Sequence, residues 1–110
     1  FILEAPKEVP LRVSHPSRKT IGIRVPDHRI ALAFIEAAGT PLMSTTLIPE
    51  GEDQPLNDAQ EIFQRYGNSL AAVIDGGPCS LSSTTVIDLT GPLPEVLRRG
   101  QGDLAAVGLD

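Results

Sequence analysis

At 110 residues, 41% hydrophobic and 21% charged, the chain has the size of one small domain with a modest core. Its formal net charge of −5, with basic residues adjacent only as the pairs Arg18-Lys19 and Arg98-Arg99, argues against a general nucleic-acid-binding surface, which needs many Lys and Arg against phosphate. The single Cys79 excludes an internal disulfide, no Cys/His cluster has zinc-ligand spacing, and no apolar run reaches membrane-spanning length, so a cytoplasmic protein without structural metal is expected.

The opening Phe1-Ile2-Leu3 has no initiator Met and reads as a strand entered partway, so a piece of a longer chain is expected. Pro6 to Ser17, with Pro10 and Pro16, reads as an irregular crossing loop. Ile21 to Val25 is β-branched enough for a short strand. Asp27 is placed to cap a helix over His28 to Ala38, with Ile30, Ala33, Phe34, Ala37 and Ala38 as its apolar stripe and Gly39 as its stop. A strand over Leu42 to Thr45 opens onto a loop, Leu47 to Leu56, rich in Pro, Gly and acids.

Asn57 followed by Gln60 is a capping-box pattern for a second helix, Asp58 to Tyr66, ended by Gly67. Strands are expected at Ala71 to Ile74, Thr85 to Leu89 and Glu95 to Leu97, the last two joined across Gly91-Pro92. Strands separated by helices, with a final hairpin, describe an α/β chain with a mixed sheet. Asp75-Gly76-Gly77-Pro78 lacks phosphate-loop spacing and reads as a strand-ending turn, while Glu50, Glu52 and Asp53 read as a solvated acidic loop. His15 and His28 have no nucleophile at a matching spacing, and nothing near Cys79 in sequence activates its thiol.

The chemistry-bearing features are arginines and hydroxyls at strand ends. Arg24 stands alone in Thr20-Ile21-Gly22-Ile23-Arg24-Val25-Pro26-Asp27, Ser44-Thr45-Thr46 closes an apolar run, and Thr84-Thr85-Val86-Ile87-Asp88-Leu89 precedes Leu97-Arg98-Arg99-Gly100. Open α/β sheets hold phosphate or carboxylate with such groups. The plainer readings are Arg24 paired with Asp27, Arg98 as a surface cation, and threonines chosen for β-propensity.

In this order, Lys19 to Pro26, Pro41 to Thr46, Asp75 to Gly77, Thr84 to Leu89 and Val96 to Gly100 resemble the C-terminal half of the YrdC/YciO-like threonylcarbamoyl-AMP synthase family of tRNA modification. The resemblance implies a YrdC-like twisted open mixed sheet with flanking helices, residues 1–110 being the C-terminal part of a single domain. It also implies a reaction joining ATP, L-threonine and bicarbonate into threonylcarbamoyl-adenylate and pyrophosphate, with Mg²⁺ carried by ATP. Position by position, it assigns Arg24, Ser44 and Thr84 to threonine, and Thr20, Thr46 and Arg98 to ATP; it designates no catalytic residue.

One departure matters. Active members of the family carry Asn two residues after the last hydroxyl of the Ser-Thr loop, where this chain has Thr46-Leu47-Ile48, and the Lys-x-Arg element that pairs with it lies outside this chain. The Ser-Thr-Thr-Leu form is most similar to the YciO branch. A non-catalytic module binding nucleotide, tRNA or double-stranded RNA is therefore the alternative expectation.

Overall fold

The computed structural model describes residues 1–109, which form two compact units: Phe1–Asp27 with Ser82 onward, and His28–Leu81. The first unit is a four-stranded mixed sheet of β1 (Ile2–Glu4), β2 (Thr20–Gly22), β3 (Val86–Asp88) and β4 (Glu95–Arg98), in the order β2-β1-β3-β4. β1 runs antiparallel to β2, with Ile2 opposite Gly22 and Glu4 opposite Thr20, and parallel to β3, with Ile2 opposite Asp88. β3 and β4 form the expected antiparallel hairpin.

Ile87, at the centre of β3, and Leu104, beyond β4, are buried apolar side chains, 4% and 8% exposed. A β-branched residue on an inner strand packs well against the pleat, which is why Ile87 takes that place. At the hairpin, the Asp88 carboxylate accepts from the Thr90 hydroxyl at 2.6 Å and the Thr90 amide at 2.8 Å. Those bonds, led by the hydroxyl, hold the Asp88 carboxyl below the ordinary aspartate range.

The crossing loop between β1 and β2 contains a short 3₁₀ turn, Leu11–Val13. His15 Nδ1 then accepts from the Ser17 and Arg18 amides at 3.2 and 3.1 Å, and Lys19, at φ 53°, turns the chain into β2. The second strand was expected over Ile21 to Val25; its ladder instead covers Thr20–Gly22 and continues only through hydrogen bonds between Phe1 and Ile23. Arg24 follows the strand and lies outside the described ladder.

The second unit carries α1 (Arg29–Ala38) and α2 (Ala59–Tyr66). Gly39 ends α1 in the left-handed region at φ 69°, as its position after the apolar stripe predicts. The cap differs from expectation. Asp27 lies one residue too early, and His28 is the N-cap, its Nδ1 accepting from the Ala31 amide at 3.4 Å. The stripe differs too: Ile30, Ala31 and Ile35 are half-buried, whereas Phe34 is 51% exposed. α1 is apolar around most of its circumference, so spacing alone does not choose which side turns inward.

For α2, the Asp58 carboxylate is the cap, accepting from the Gln60 amide at 2.9 Å, while the expected cap Asn57 donates to the Cys79 carbonyl at 2.9 Å. The α-helix ends at Tyr66 with Gly67 as its C-cap, as expected, although Gly67 stays right-handed at φ −53° and ψ −33° and leads into a 3₁₀ turn, Gly67–Ser69. Arg65 ties α2 to the acidic loop through Glu52 at 2.7 Å and reaches Glu61 at 3.4 Å. These exposed pairs contribute little to stability. The expected strands Leu42 to Thr45 and Ala71 to Ile74 are irregular. Each has strand-like composition, but among the described residues neither has a neighbouring strand to complete a ladder, and without one an extended segment is not a strand.

Candidate functional site

The register of the sheet determines which of the expected site residues share a place. β2 ends where β1 begins, β3 begins at that same end, and β4, antiparallel to β3, finishes there. Arg24, just after β2, Thr84, just before β3, and Arg98, the last residue of β4, therefore lie at one end of the sheet, and Arg99 follows them. Thr20, opposite Glu4, lies toward the other end, four residues from Arg24, or about 13 Å along an extended strand.

Arg98 owes its position to an irregularity. Ile87 faces Val96, but Val86 faces Arg98, so Leu97 is an extra residue on β4 and the strand bulges there. Regular pairing would give Leu97 the place opposite Val86. With the bulge, Arg98 Nε donates to the Thr84 carbonyl and an Arg98 terminal nitrogen donates to the Thr84 hydroxyl, both at 2.8 Å. The remaining terminal nitrogen of the guanidinium has no acceptor among the described residues.

Arg24 is exposed and makes no ion pair or hydrogen bond among the described residues, so the pairing with Asp27 that its sequence neighbourhood allows does not form. Among the described residues the ion pairs all belong to Arg65, in the other unit. Arg24, Arg98 and Arg99 thus have no carboxylate partner among the described residues, at one end of a sheet, in a chain of net charge −5. Arg99, with Gly100, Gln101, Gly102, Asp103 and Leu104, helps line a depression of about 430 Å³, whose lining does not include Arg24, Arg98 or Thr84. Guanidinium groups without carboxylate partners among the described residues, Arg98 on the Thr84 hydroxyl and Arg99 at the depression, have the donors to take up phosphate or carboxylate oxygens.

Ser44 and Thr46 belong to the other unit, in the irregular segment that precedes the acidic loop. Both are exposed, and neither hydroxyl is engaged among the described residues; the Thr46 carbonyl accepts from the Ile48 amide at 3.1 Å. Ile48 itself is 46% exposed, an apolar side chain at the surface of a polar loop.

The site contains residues that motif reading passed over. Thr85 uses its hydroxyl to accept from the Gly100 amide at 3.1 Å and to donate to the Gly102 carbonyl at 2.9 Å. The signal available for them in sequence was the pair of glycines at Gly100 and Gly102, whose meaning depends on a strand crossing that only pairing reveals.

The chain is similar to known proteins in sequence and fold. The Sua5/YciO/YrdC family, described as telomere recombination, matches residues 1–100. A protein of Escherichia coli (strain K12) named uncharacterized protein YciO is 45% identical over 104 residues, covering 94% of this chain and 50% of the relative. A threonylcarbamoyl-AMP synthase of Bacillus subtilis (strain 168) is 31% identical over 83 residues, covering 74% of this chain and 24% of that protein. The crystal structure of E. coli YciO superposes with a TM-score of 0.82 at 45% identity, over 94% of this chain and 50% of that one. The chain spans about half the length of the YciO relatives it matches. A mixed four-stranded sheet with two helices, a match across most of the chain and the agreement with the YciO structure together place this α/β protein in the Sua5/YciO/YrdC family.

Proposed function

We propose that this protein acts as a threonylcarbamoyl-AMP synthase-like component of tRNA threonylcarbamoyladenosine modification. Its substrates are ATP, with Mg²⁺ as part of the nucleotide complex, L-threonine and bicarbonate, and its setting is the cytoplasm. The observation that carries the reading is that Arg24 and Arg98, without carboxylate partners among the described residues, lie at one end of the sheet, Arg98 on the Thr84 hydroxyl. Relatives named threonylcarbamoyl-AMP synthase support it.

In this reading the threonine amine takes up carbon from bicarbonate with loss of water, giving a carbamate. A carbamate oxygen then attacks the α-phosphorus of ATP, forming threonylcarbamoyl-adenylate and expelling pyrophosphate. The reaction joins anions, so charge neutralisation and alignment matter more than a protein nucleophile. Arg24 holds the threonine carboxylate through parallel donors, Thr84 and Ser44 orient threonine, and Arg98, with Thr46 and Thr20 as accessory hydroxyls, holds the nucleotide. Residues 1–110 act as the C-terminal part of one domain in this scheme.

A second reading has its own observation. Ile48 stands where synthases carry an amide, and an isoleucine side chain neither donates nor accepts. That favours a YciO-type module that binds nucleotide or double-stranded RNA without forming the adenylate. Pyrophosphate release by the full-length protein, supplied with ATP, Mg²⁺ and bicarbonate, separates the readings. Threonine-dependent release supports synthesis; ATP binding without release supports the module.

A further inference from the structure

We infer that Thr85 and Gly100 are positioning residues for the guanidinium of Arg98. The inference deepens the reading above and rests on it for the identity of the ligand, the nucleotide.

After β4 the chain turns back across the segment that leads into β3, and the two are fastened at several points. The Gln101 amide donates to the Ser83 carbonyl at 3.0 Å, and the Gln101 side-chain amide donates to the Ser82 carbonyl. Between them the Thr85 hydroxyl bridges the Gly100 amide and the Gly102 carbonyl. The crossing is close enough to exclude side chains. A Cβ on Gly100 would overlap the Ser83 carbonyl oxygen and lie 2.5 Å from the Thr84 carbonyl carbon and 2.7 Å from its oxygen. These are backbone atoms, which cannot rotate aside as a side chain would.

The Thr84 carbonyl oxygen that a Cβ on Gly100 would crowd is the oxygen that accepts from Arg98 Nε. The fastening therefore sets the separation between Thr84 and Arg98 and, with it, the direction in which the unengaged edge of the guanidinium points. Neither Thr85 nor Gly100 needs to touch the ligand. Removing the Thr85 hydroxyl leaves the Gly100 amide and the Gly102 carbonyl without their shared partner, and the two segments lose a fastening two residues from Arg98.

The test uses the full-length protein and Thr85→Val, which keeps the shape and removes the hydroxyl, with Thr85→Ser as the conservative control. Two readouts are taken well below the melting temperature: hydrogen exchange of the Arg98 Nε–H by ¹⁵N NMR, and Mg·ATP affinity by calorimetry. Thr85→Val is expected to speed Nε–H exchange and weaken Mg·ATP binding by roughly five- to tenfold, and Thr85→Ser to stay close to wild type in both. In an Arg98→Ala background, Thr85→Val is expected to cost no further affinity, because its effect passes through Arg98. Unchanged Nε–H exchange in Thr85→Val, or an equal affinity loss with and without Arg98, overturns the positioning role. If the wild type does not bind Mg·ATP, the nucleotide reading falls, and the exchange measurement alone decides whether Thr85 positions Arg98. Gly100→Ala should reproduce the Thr85→Val exchange result with a larger loss of thermal stability.

Discussion

Arg98 grips Thr84 at two points, Nε to the main-chain carbonyl and a terminal nitrogen to the hydroxyl, each at 2.8 Å. The grip is made without a carboxylate, so the charge of the guanidinium is oriented but not neutralised. A cation held in this way is preorganised: the rotamer entropy of a long side chain is lost on folding and does not weaken ligand binding.

Arg98→Lys keeps the charge and removes the two-point grip, since an ammonium on a flexible stem cannot reproduce the planar fork. Mg·ATP affinity is expected to fall roughly tenfold, with the melting temperature shifting little, because the replaced contacts are exposed. Calorimetric titration of both proteins checks this, and equal affinity would mean that charge alone matters at this position.

Ile48→Asn introduces an amide donor and acceptor into the loop beside Thr46. The position is 46% exposed, so the exchange should leave stability within about 0.5 kcal/mol of the parent protein. Threonine-dependent pyrophosphate release is expected to rise. An unchanged rate alongside unchanged ATP affinity would show that this position does not limit turnover.

How much of this was legible in the sequence depended on whether the decisive interactions were local. Both helices were, because an apolar stripe, a polar residue at the start and Gly39 at the end act over a few residues. Their exact caps were not: Asp27 and His28, or Asn57 and Asp58, are adjacent polar residues, and only the start of the helical turn decides between them. The segments Leu42 to Thr45 and Ala71 to Ile74 have strand composition, but a strand also needs a partner, which composition does not report. Arg24, Thr84 and Arg98 could be singled out by type and position. That Arg98 meets Thr84 depends on the bulge at Leu97 and the close passage at Gly100, both products of pairing between distant residues.

Asp58→Ala removes the carboxylate that accepts from the Gln60 amide at the start of α2. The loss is expected to be about 1 kcal/mol of stability, and Asp58→Asn should recover most of it because its amide oxygen can serve as the cap. Denaturant unfolding of the three proteins measures the difference. A neutral Asp58→Ala would mean that the helix start is held by packing and not by its cap.

The depressed Asp88 carboxyl predicts a pH dependence. Its folded value lies below the ordinary 3.8, so the bonds to Thr90 contribute stability that is fully present above 3.8 and is lost as pH falls through the lower folded value. Asp88→Asn retains an acceptor for Thr90 but does not titrate, so its stability curve should be flatter than that of the wild type on the acid side of that value. Unfolding midpoints measured from neutral pH to below 3 test this, and parallel curves would assign the acid sensitivity to other carboxylates.

The central claim, that Arg24 and Arg98 receive different ligands at one end of the sheet, is tested most directly by titrating L-threonine and Mg·ATP separately into the full-length wild type, Arg24→Ala and Arg98→Ala. Arg24→Ala should weaken threonine binding by about 1.5–3 kcal/mol and leave ATP binding nearly intact, and Arg98→Ala should do the reverse. Equal losses of both ligands in both variants, or no loss in either, would contradict it.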